Sequence, residues 1–518
     1  MKKTAISILA LCACLAAEAQ NVNPVVEVTN SYSGALGDFQ KMSVPMAVPD
    51  SLLQFGYSFD YSVFDNPYHG AYEFSPYSVK VTPASSAYRG GKLYLRAGAG
   101  WTLNPELEFA CNLRQKENFS LNLFADAHGY WGKYKSVGSD LLPDGGLYSG
   151  MDLAEKAGLD GRYHFKGSTL GFVVGEEGIL SSDNTGTGSY LGGFARARLS
   201  SDDATGSFFL YDISLGYRFG YETSAAETAH NVNFSGTVGP VLNTKYRFLV
   251  DFYLLDEYRA GSNLFAAGAT PRAKFVLGKF DVSAGVKIGW NGSGLSFAPD
   301  VHASAGLLDN KLTFYADLTG GDRLYGLYEL KTLNHFYNSA YGESFIGSTS
   351  FDARGGIRGH FGPFSYDFRG GYAIENEAPV FNEYVVSREH YRLLYADASL
   401  GWSTERLQID AAGRFAKASF DSDYLGYGLP AVSGSARVIY NWNRRIYAGV
   451  WFKGETSRAS ADSSVPGWVD LGLSLEYKVS RKLGVWAEAG NILNSDVRKT
   501  LTHIQNGPYL TAGICLKF

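Results

Sequence analysis

Side chains able to do chemistry are sparse and scattered along this chain. Ser120, Asn122, Asp126 and His128 share parity, so on a strand all four project from one face. An imidazole oriented by a carboxylate can activate a nucleophile. No serine is specified at the required distance, and a hydrogen-bonded histidine on a polar wall is the better explanation of the pair. Asp421 and Asp423 offer carboxylate oxygens of the kind that hold Ca²⁺, but two are too few for a site. Gly292-Ser293-Gly294 reads as a turn. No phosphate-binding loop, dinucleotide fingerprint, zinc-protease helix or GxSxG elbow is present. The chain reads as a non-enzyme, with no catalytic, cofactor-binding or metal-binding residue assigned.

The elements that would carry these residues are strands. Aromatic residues make up 15% of the chain, with 35 Tyr and 33 Phe beside 61 Gly, and only 4 Met. Strands favour aromatic and β-branched side chains, whereas helices favour Ala, Leu, Glu, Lys and Met, so the composition points to an all-β chain. The net charge is −5, which argues against a nucleic-acid partner, since that would require a basic face. Of four cysteines, Cys12 and Cys14 fall in the leader described below, leaving Cys111 and Cys515. One pair cannot staple a chain of 518 residues. The strand registers put Cys111 toward lipid and Cys515 toward a lumen, which sets a bond between them aside.

Alternation is the dominant pattern, and it is clearest at the C-terminus. Leu510, Ala512, Ile514, Leu516 and Phe518 share one face, and Tyr509, Thr511, Gly513, Cys515 and Lys517 the other. A strand of about ten residues with one lipid-compatible face and a terminal aromatic is what an outer-membrane barrel uses to close. Tyr509, Leu510, Ala512, Ile514, Leu516 and Phe518 therefore form the expected barrel-closing signal. The same dyad runs through Phe119 to His128, Leu394 to Trp402, Leu407 to Phe415 and Asp470 to Val479. One face is steadily apolar and the other polar, as in a wall between lipid and a wet lumen. Arg96, Glu108, Arg114, Asp126, Asp397, Asp410, Arg414, Arg437, Asp470, Glu476, Lys478 and Glu488 all fall on the polar face. Their mixed signs select no single ionic solute.

Short connections at 115–118, 201–205, 279–280, 309–310, 361–363, 403–406, 443–445 and 480–482 interleave with longer ones. The longer ones are at 134–153, 179–189, 258–270, 320–349, 374–388, 418–431, 457–467 and 491–508. With Phe518 at the periplasmic side, short turns and long outer loops alternate as they must, and the count from Gly91 is roughly 22 antiparallel strands, with 20 or 24 as neighbouring even numbers. Trp101, Trp131 and Trp290 fall at outer ends, and Trp402 and Trp442 at periplasmic ends, matching interfacial aromatic girdles.

Lys2 and Lys3, the apolar run Ala5 to Ala17, and Ala17-Glu18-Ala19 ahead of Gln20 form a signal peptide over residues 1–19. Leu11-Cys12-Ala13-Cys14 resembles a lipobox, which leaves a lipidated Cys14 as the alternative. Residues 20–90 are punctuated by Pro24, Pro45, Pro49, Pro67, Pro76 and Pro83 and form a separate segment rather than regular wall. Residues 91–518 form the transmembrane β-barrel. A lumen this wide is normally plugged, so residues 20–90, together with the loop 320–349, are expected to fold into or across it.

The stretch from Leu295 to Gly321 (LSFAPDVHASAGLLDNKLTFYADLTGG) and the ending Asn491-Ile492-Leu493-Asn494 followed by NGPYLTAGICLKF resemble the barrel of TonB-dependent-receptor-like outer-membrane proteins. The stretches Asn23 to Gly34 and Val48 to Tyr77 are similar to an uncharacterised branch of that group. The resemblance implies a 22-stranded wall, integral location in the bacterial outer membrane, and transport or uptake. Such receptors carry a plug of well over a hundred residues ahead of the barrel; here about 70 are available, so the plug is truncated or absent. Val25-Val26-Glu27-Val28-Thr29 is superficially similar to the short box that contacts TonB. The expected partners are outer-membrane lipids and the barrel-assembly machinery, with TonB or other outer-membrane or periplasmic subunits as further candidates. The alternative function is a non-transporting structural or assembly component of an outer-membrane complex, which the short N-terminal segment favours.

Overall fold

The computed structural model describes residues 92–518, except 137–144, 184–186, 202–207, 243–244, 293, 309–310, 383, 422–428, 460–463 and 499–502. The signal peptide, the 20–90 segment and the TonB-box-like residues Val25, Val26, Glu27, Val28 and Thr29 lie outside the described residues.

Twenty-two antiparallel strands close into one barrel. They are β1 (Leu93–Trp101), β2 (Glu106–Gln115), β3 (Phe119–Lys135), β4 (Leu147–Phe165), β5 (Ser168–Ser182), β6 (Tyr190–Ser201), β7 (Phe209–Glu222) and β8 (Glu227–Pro240). Next come β9 (Tyr246–Arg259), β10 (Ser262–Leu277), β11 (Phe280–Trp290), β12 (Leu295–Leu307), β13 (Leu312–Tyr325), β14 (Phe345–Phe361), β15 (Phe364–Asn382) and β16 (Val385–Ser403). The last six are β17 (Leu407–Phe420), β18 (Val432–Trp442), β19 (Ile446–Glu455), β20 (Trp468–Lys478), β21 (Leu483–Gly490) and β22 (Tyr509–Lys517). Each strand pairs with its predecessor, and β22 lies between β21 and β1, with Leu95 opposite Leu516 and Trp101 opposite Leu510. Closure leaves no edge whose backbone groups would meet hydrocarbon unpaired.

Faces follow from register, because directly paired residues point the same way. Leu510, Ile514 and Phe518 are exposed on the outside, while Thr511 and Cys515 are buried on the inside. Cys111 pairs with Leu93 and Leu123 on the outer face, so the two free thiols stand on opposite sides of the wall. Arg114 departs from its expected inward position. A bulge between Asn112 and Arg114 shifts the register, so that Arg114 pairs with outward-facing Leu121 near the periplasmic end.

Glycine and aromatic residues are used together on the inner wall. A Cβ on Gly472 would stand 2.1 Å from the Trp451 ring, and one on Gly220 would stand 2.2 Å from Tyr190. These rings lie flat against a neighbouring strand's bare backbone, which accounts for a chain rich in both residue types.

Two of the expected outer loops are mostly strand. The stretch 258–270 turns at Ala260 and Gly261, both at positive φ (49° and 81°), as a two-residue hairpin requires. The stretch 374–388 is likewise mostly strand, with one strand (β15) running to Asn382 and the next (β16) starting at Val385. Strand length is therefore uneven around the ring. β3, β4, β14, β15 and β16 have 17 to 19 residues, against 8 to 11 in β18–β22, β1 and β2. A tilted span needs roughly 9–11 residues, so the longer strands rise well above the bilayer as two palisades. β3 and β14 are eleven places apart in a ring of 22, on opposite sides of the mouth.

Candidate functional site

The connection between β13 and β14 folds inward. Gly326 leads into a seven-residue helix, α1 (Leu327–Leu333), followed by a 3-10 turn at Ser339–Tyr341. A helix this short is not stable alone; tertiary contact holds it. Leu327 and Leu330, three apart and so on one helix face, are fully buried, as are Phe336 and Tyr337. Leu327, Leu330 and Tyr337 pack against Ile179 of β5, Tyr190 of β6, Ala229 of β8 and Phe345 of β14. A second cluster joins Phe336 to Tyr130 and Tyr134 of β3 and to Tyr148 of β4. Rooted at β14, the loop thus reaches β3 and β4 on the opposite side, crossing the mouth.

Polar groups from the wall fix it in place. The Glu257 carboxylate accepts from the Leu327 backbone N–H at 3.2 Å and from the Ser344 hydroxyl. Arg259 donates to the carbonyls of Ser339 and Gly342 at 2.9 and 3.1 Å. Glu222 accepts from the Ser339 hydroxyl at 2.7 Å and lies 3.6 Å from the Lys331 ammonium. Lys331 donates to the Gly188 carbonyl, and His335 pairs with Asp152 of β4. Arg218 of β7 donates to Glu329 at 2.9 Å, its guanidinium stacked 3.8 Å above the Tyr328 ring. The final outer loop locks onto the same structure. His503 stacks on Phe336 with ring centroids 3.5 Å apart and pairs with Asp183 at 2.9 Å, and Tyr384 bonds the same carboxylate. That loop also adds Ile504 and Gln505 to the outer end of β3.

Burial pushes the Lys331 ammonium down to about 8, against the opposing pull of Glu222. Burial likewise pushes the Tyr328 phenol up to about 12, with Glu177 adding to the effect. The Tyr337 phenol is raised for the same first reason, with Arg259 opposing. The loop is fastened by desolvated groups, so its docking depends on their satisfaction as a set.

The residues singled out in the sequence lie elsewhere. Asp126 and His128 contact each other at 3.1 Å on the inner face of β3, with His128 largely exposed. Ser120 is eight residues down the same strand, about 26 Å away, so the structure brings no nucleophile to the pair from that strand. Asn122 bonds Asn112. Asp421 is held by His390 and Arg392 at 3.2 and 3.7 Å; Asp423 and Ser293 lie outside the described residues. Among the described residues, no group of three or more His, Cys, Asp or Glu could hold a metal ion. Tyr509, Leu510, Ala512, Ile514 and Leu516 lie in β22, and Phe518 hydrogen-bonds Leu93 in both directions. The lumen charges pair across strands, as in Arg96–Glu106 at 2.7 Å and Arg369–Asp397 at 2.8 Å. Sequence reasoning placed the loop within 320–349 but named none of its anchors. The spacing of Leu327 and Leu330 between Gly326 and Gly342 was the available signal.

No family model and no curated protein matches the sequence. Solved structures do match. The copper transporter OprC superposes with a TM-score of 0.61 at 11% identity, covering 83% of this chain and 80% of that one. The fold is that of a TonB-dependent-receptor barrel. The chain also matches the FrpB iron transporter from Neisseria meningitidis (TM-score 0.60, 10% identity, 83% and 82% covered). A third match is the siderophore receptor PirA from Acinetobacter baumannii (0.59, 10%, 82% and 80%). These likenesses carry the architecture.

Proposed function

We propose that this receptor-like barrel takes up a solute across the outer membrane and that the loop 326–344 is its outer gate. The observation that carries the reading is the loop's path from β14 to β3 and β4 across the mouth. A 22-stranded lumen is wide enough to breach the permeability barrier if left open, and a device spanning the mouth answers that need. The structural neighbours, two metal transporters and a siderophore receptor by name, support an uptake role without specifying a solute. In this reading residues 20–90 contribute a reduced plug, and Val25–Thr29 would engage TonB. The closing strand β22 would be read by the barrel-assembly machinery.

Planar-bilayer conductance of the full mature chain tests this, beside a form lacking residues 21–90 and a form carrying Phe336→Ala. The expected result is a closed or small conductance that rises several-fold when either obstruction is weakened, and furthest when both are. If all forms fold yet stay closed, the uptake reading falls, and the non-transporting assembly role takes its place.

A further inference from the structure

Beneath α1 the inner faces of β4 to β7 gather three cations around one acid. Lys156 of β4 and Arg218 of β7 both contact Glu177 of β5, at 3.4 and 2.5 Å. Phe194 of β6 is the register partner of Arg218 and lies under the Lys156 ammonium, 4.3 Å from the ring centre. Arg196 follows two residues later on the same lumen face. Its register partner on β7 is Gly216, which makes it a diagonal neighbour of Arg218, about 7–8 Å away and within reach of a shared ligand. The Arg196 side chain is exposed and makes no hydrogen bond or ion pair with any described residue. Other acids on this face are engaged: Asp126, opposite Lys156, is turned to His128, Asp160, in the same register row as Arg196, lies 3.7 Å from Arg162, and Asp212 is held by Arg198 at 2.7 Å.

The wall therefore carries three positive charges against the single Glu177. Glu329 of the loop supplies the second acid, but incompletely. One oxygen accepts from Arg218, while Oε2 is buried with no hydrogen-bond partner. A buried carboxylate oxygen left unsatisfied is unfavourable. The Arg196 guanidinium, on the same lumen face as Arg218, remains able to bind an anion in fork geometry.

We propose that Lys156, Arg196 and Arg218 form a lumen-wall binding site for an anionic solute carrying a carboxylate or a phosphate, and that Glu329 fills part of it as an internal surrogate. An incoming anion engages Arg196 and Arg218 together, displaces Glu329, and releases the first turn of α1 from the wall. The gating consequence rests on the uptake reading; the binding site itself does not.

The test is calorimetric titration of the purified full-length protein in detergent with citrate and, separately, inorganic phosphate. Glu329→Gln removes the surrogate's charge and is expected to tighten anion binding about tenfold, the equivalent of one charged hydrogen bond. Arg196→Gln, an exposed position whose loss leaves folding intact, is expected to weaken it by a similar factor, also in the Glu329→Gln background. Preference for citrate assigns carboxylates, and preference for phosphate assigns phosphates. Anion affinity unmoved by Glu329→Gln or by Arg196→Gln overturns the site, as does the absence of heat from both anions in Glu329→Gln. Binding without conductance in the bilayer experiment would remove the uptake reading and leave the site standing. Conductance without binding would do the reverse.

Discussion

At the scale of single residues, the molecule's sharpest commitment is Lys331, fully buried beside Glu222. Its value of about 8 in the docked loop lies below its ordinary 10.5, so between those pH values the undocked loop binds more protons. Docking should therefore strengthen as pH rises through that window, by at most about 3 kcal/mol, and be flat below it. Hydrogen exchange across residues 327–341 as a function of pH would show the slope. Lys331→Met should abolish it; a slope that survives would mean another group titrates. Gly472 is a second such position. A side chain there must displace the Trp451 ring, so Gly472→Val should lower barrel stability by about 1–3 kcal/mol, read as a lower urea midpoint.

At the scale of elements, α1 and its flanks are an insertion made stable by where it lands. Phe336 sits between Tyr134 and His503, with ring centroids at 6.0 and 3.5 Å. Phe336→Ala should cost about 3 kcal/mol or more of docking free energy. Trypsin should then cleave after Lys331 in the folded barrel, and leave the parent protein intact at that bond. Little of this was legible beforehand. The anchors Glu222, Glu257, Arg218 and Arg259 lie on β7 and β9, between 70 and 111 positions from the nearest loop partners they hold, so no local pattern joins them to the loop. The alternation that revealed the strands was a local signal and worked where strands are regular. It failed at the bulge after Asn112, where one extra residue reversed Arg114. It also failed at the hairpin 260–261 and at the outer ends of β15 and β16, where polar strand ends read as loop.

At the scale of the whole molecule, the outward face of the wall must match hydrocarbon. Leu473 points outward and is about half exposed, paired with Val450; the next residue, Ser474, points into the lumen opposite Glu488. Leu473→Arg should destabilise the membrane-inserted barrel by about 2–4 kcal/mol, while Ser474→Arg should be tolerated. Heat-modifiable migration after refolding into lipid would compare them, and equal effects would contradict the assigned faces. The unequal strand lengths act at this scale too. Two tall palisades stand on opposite sides of the mouth, and the gate loop runs between them.

The sequence by itself determined the wall. Dyad alternation, glycine and aromatic abundance, alternating connection lengths and a terminal aromatic strand are each local, and together they specify an all-β barrel of about 22 strands. That is possible because lipid imposes one rule on every strand: satisfy the backbone and turn the apolar face out. The tertiary structure alone decided what stands inside it. Which loop crosses the mouth, which wall carboxylates receive it, and why Arg196 stands without a partner beside Arg218 all depend on strands brought together by closure of the ring. No residue's neighbours in sequence carry that information.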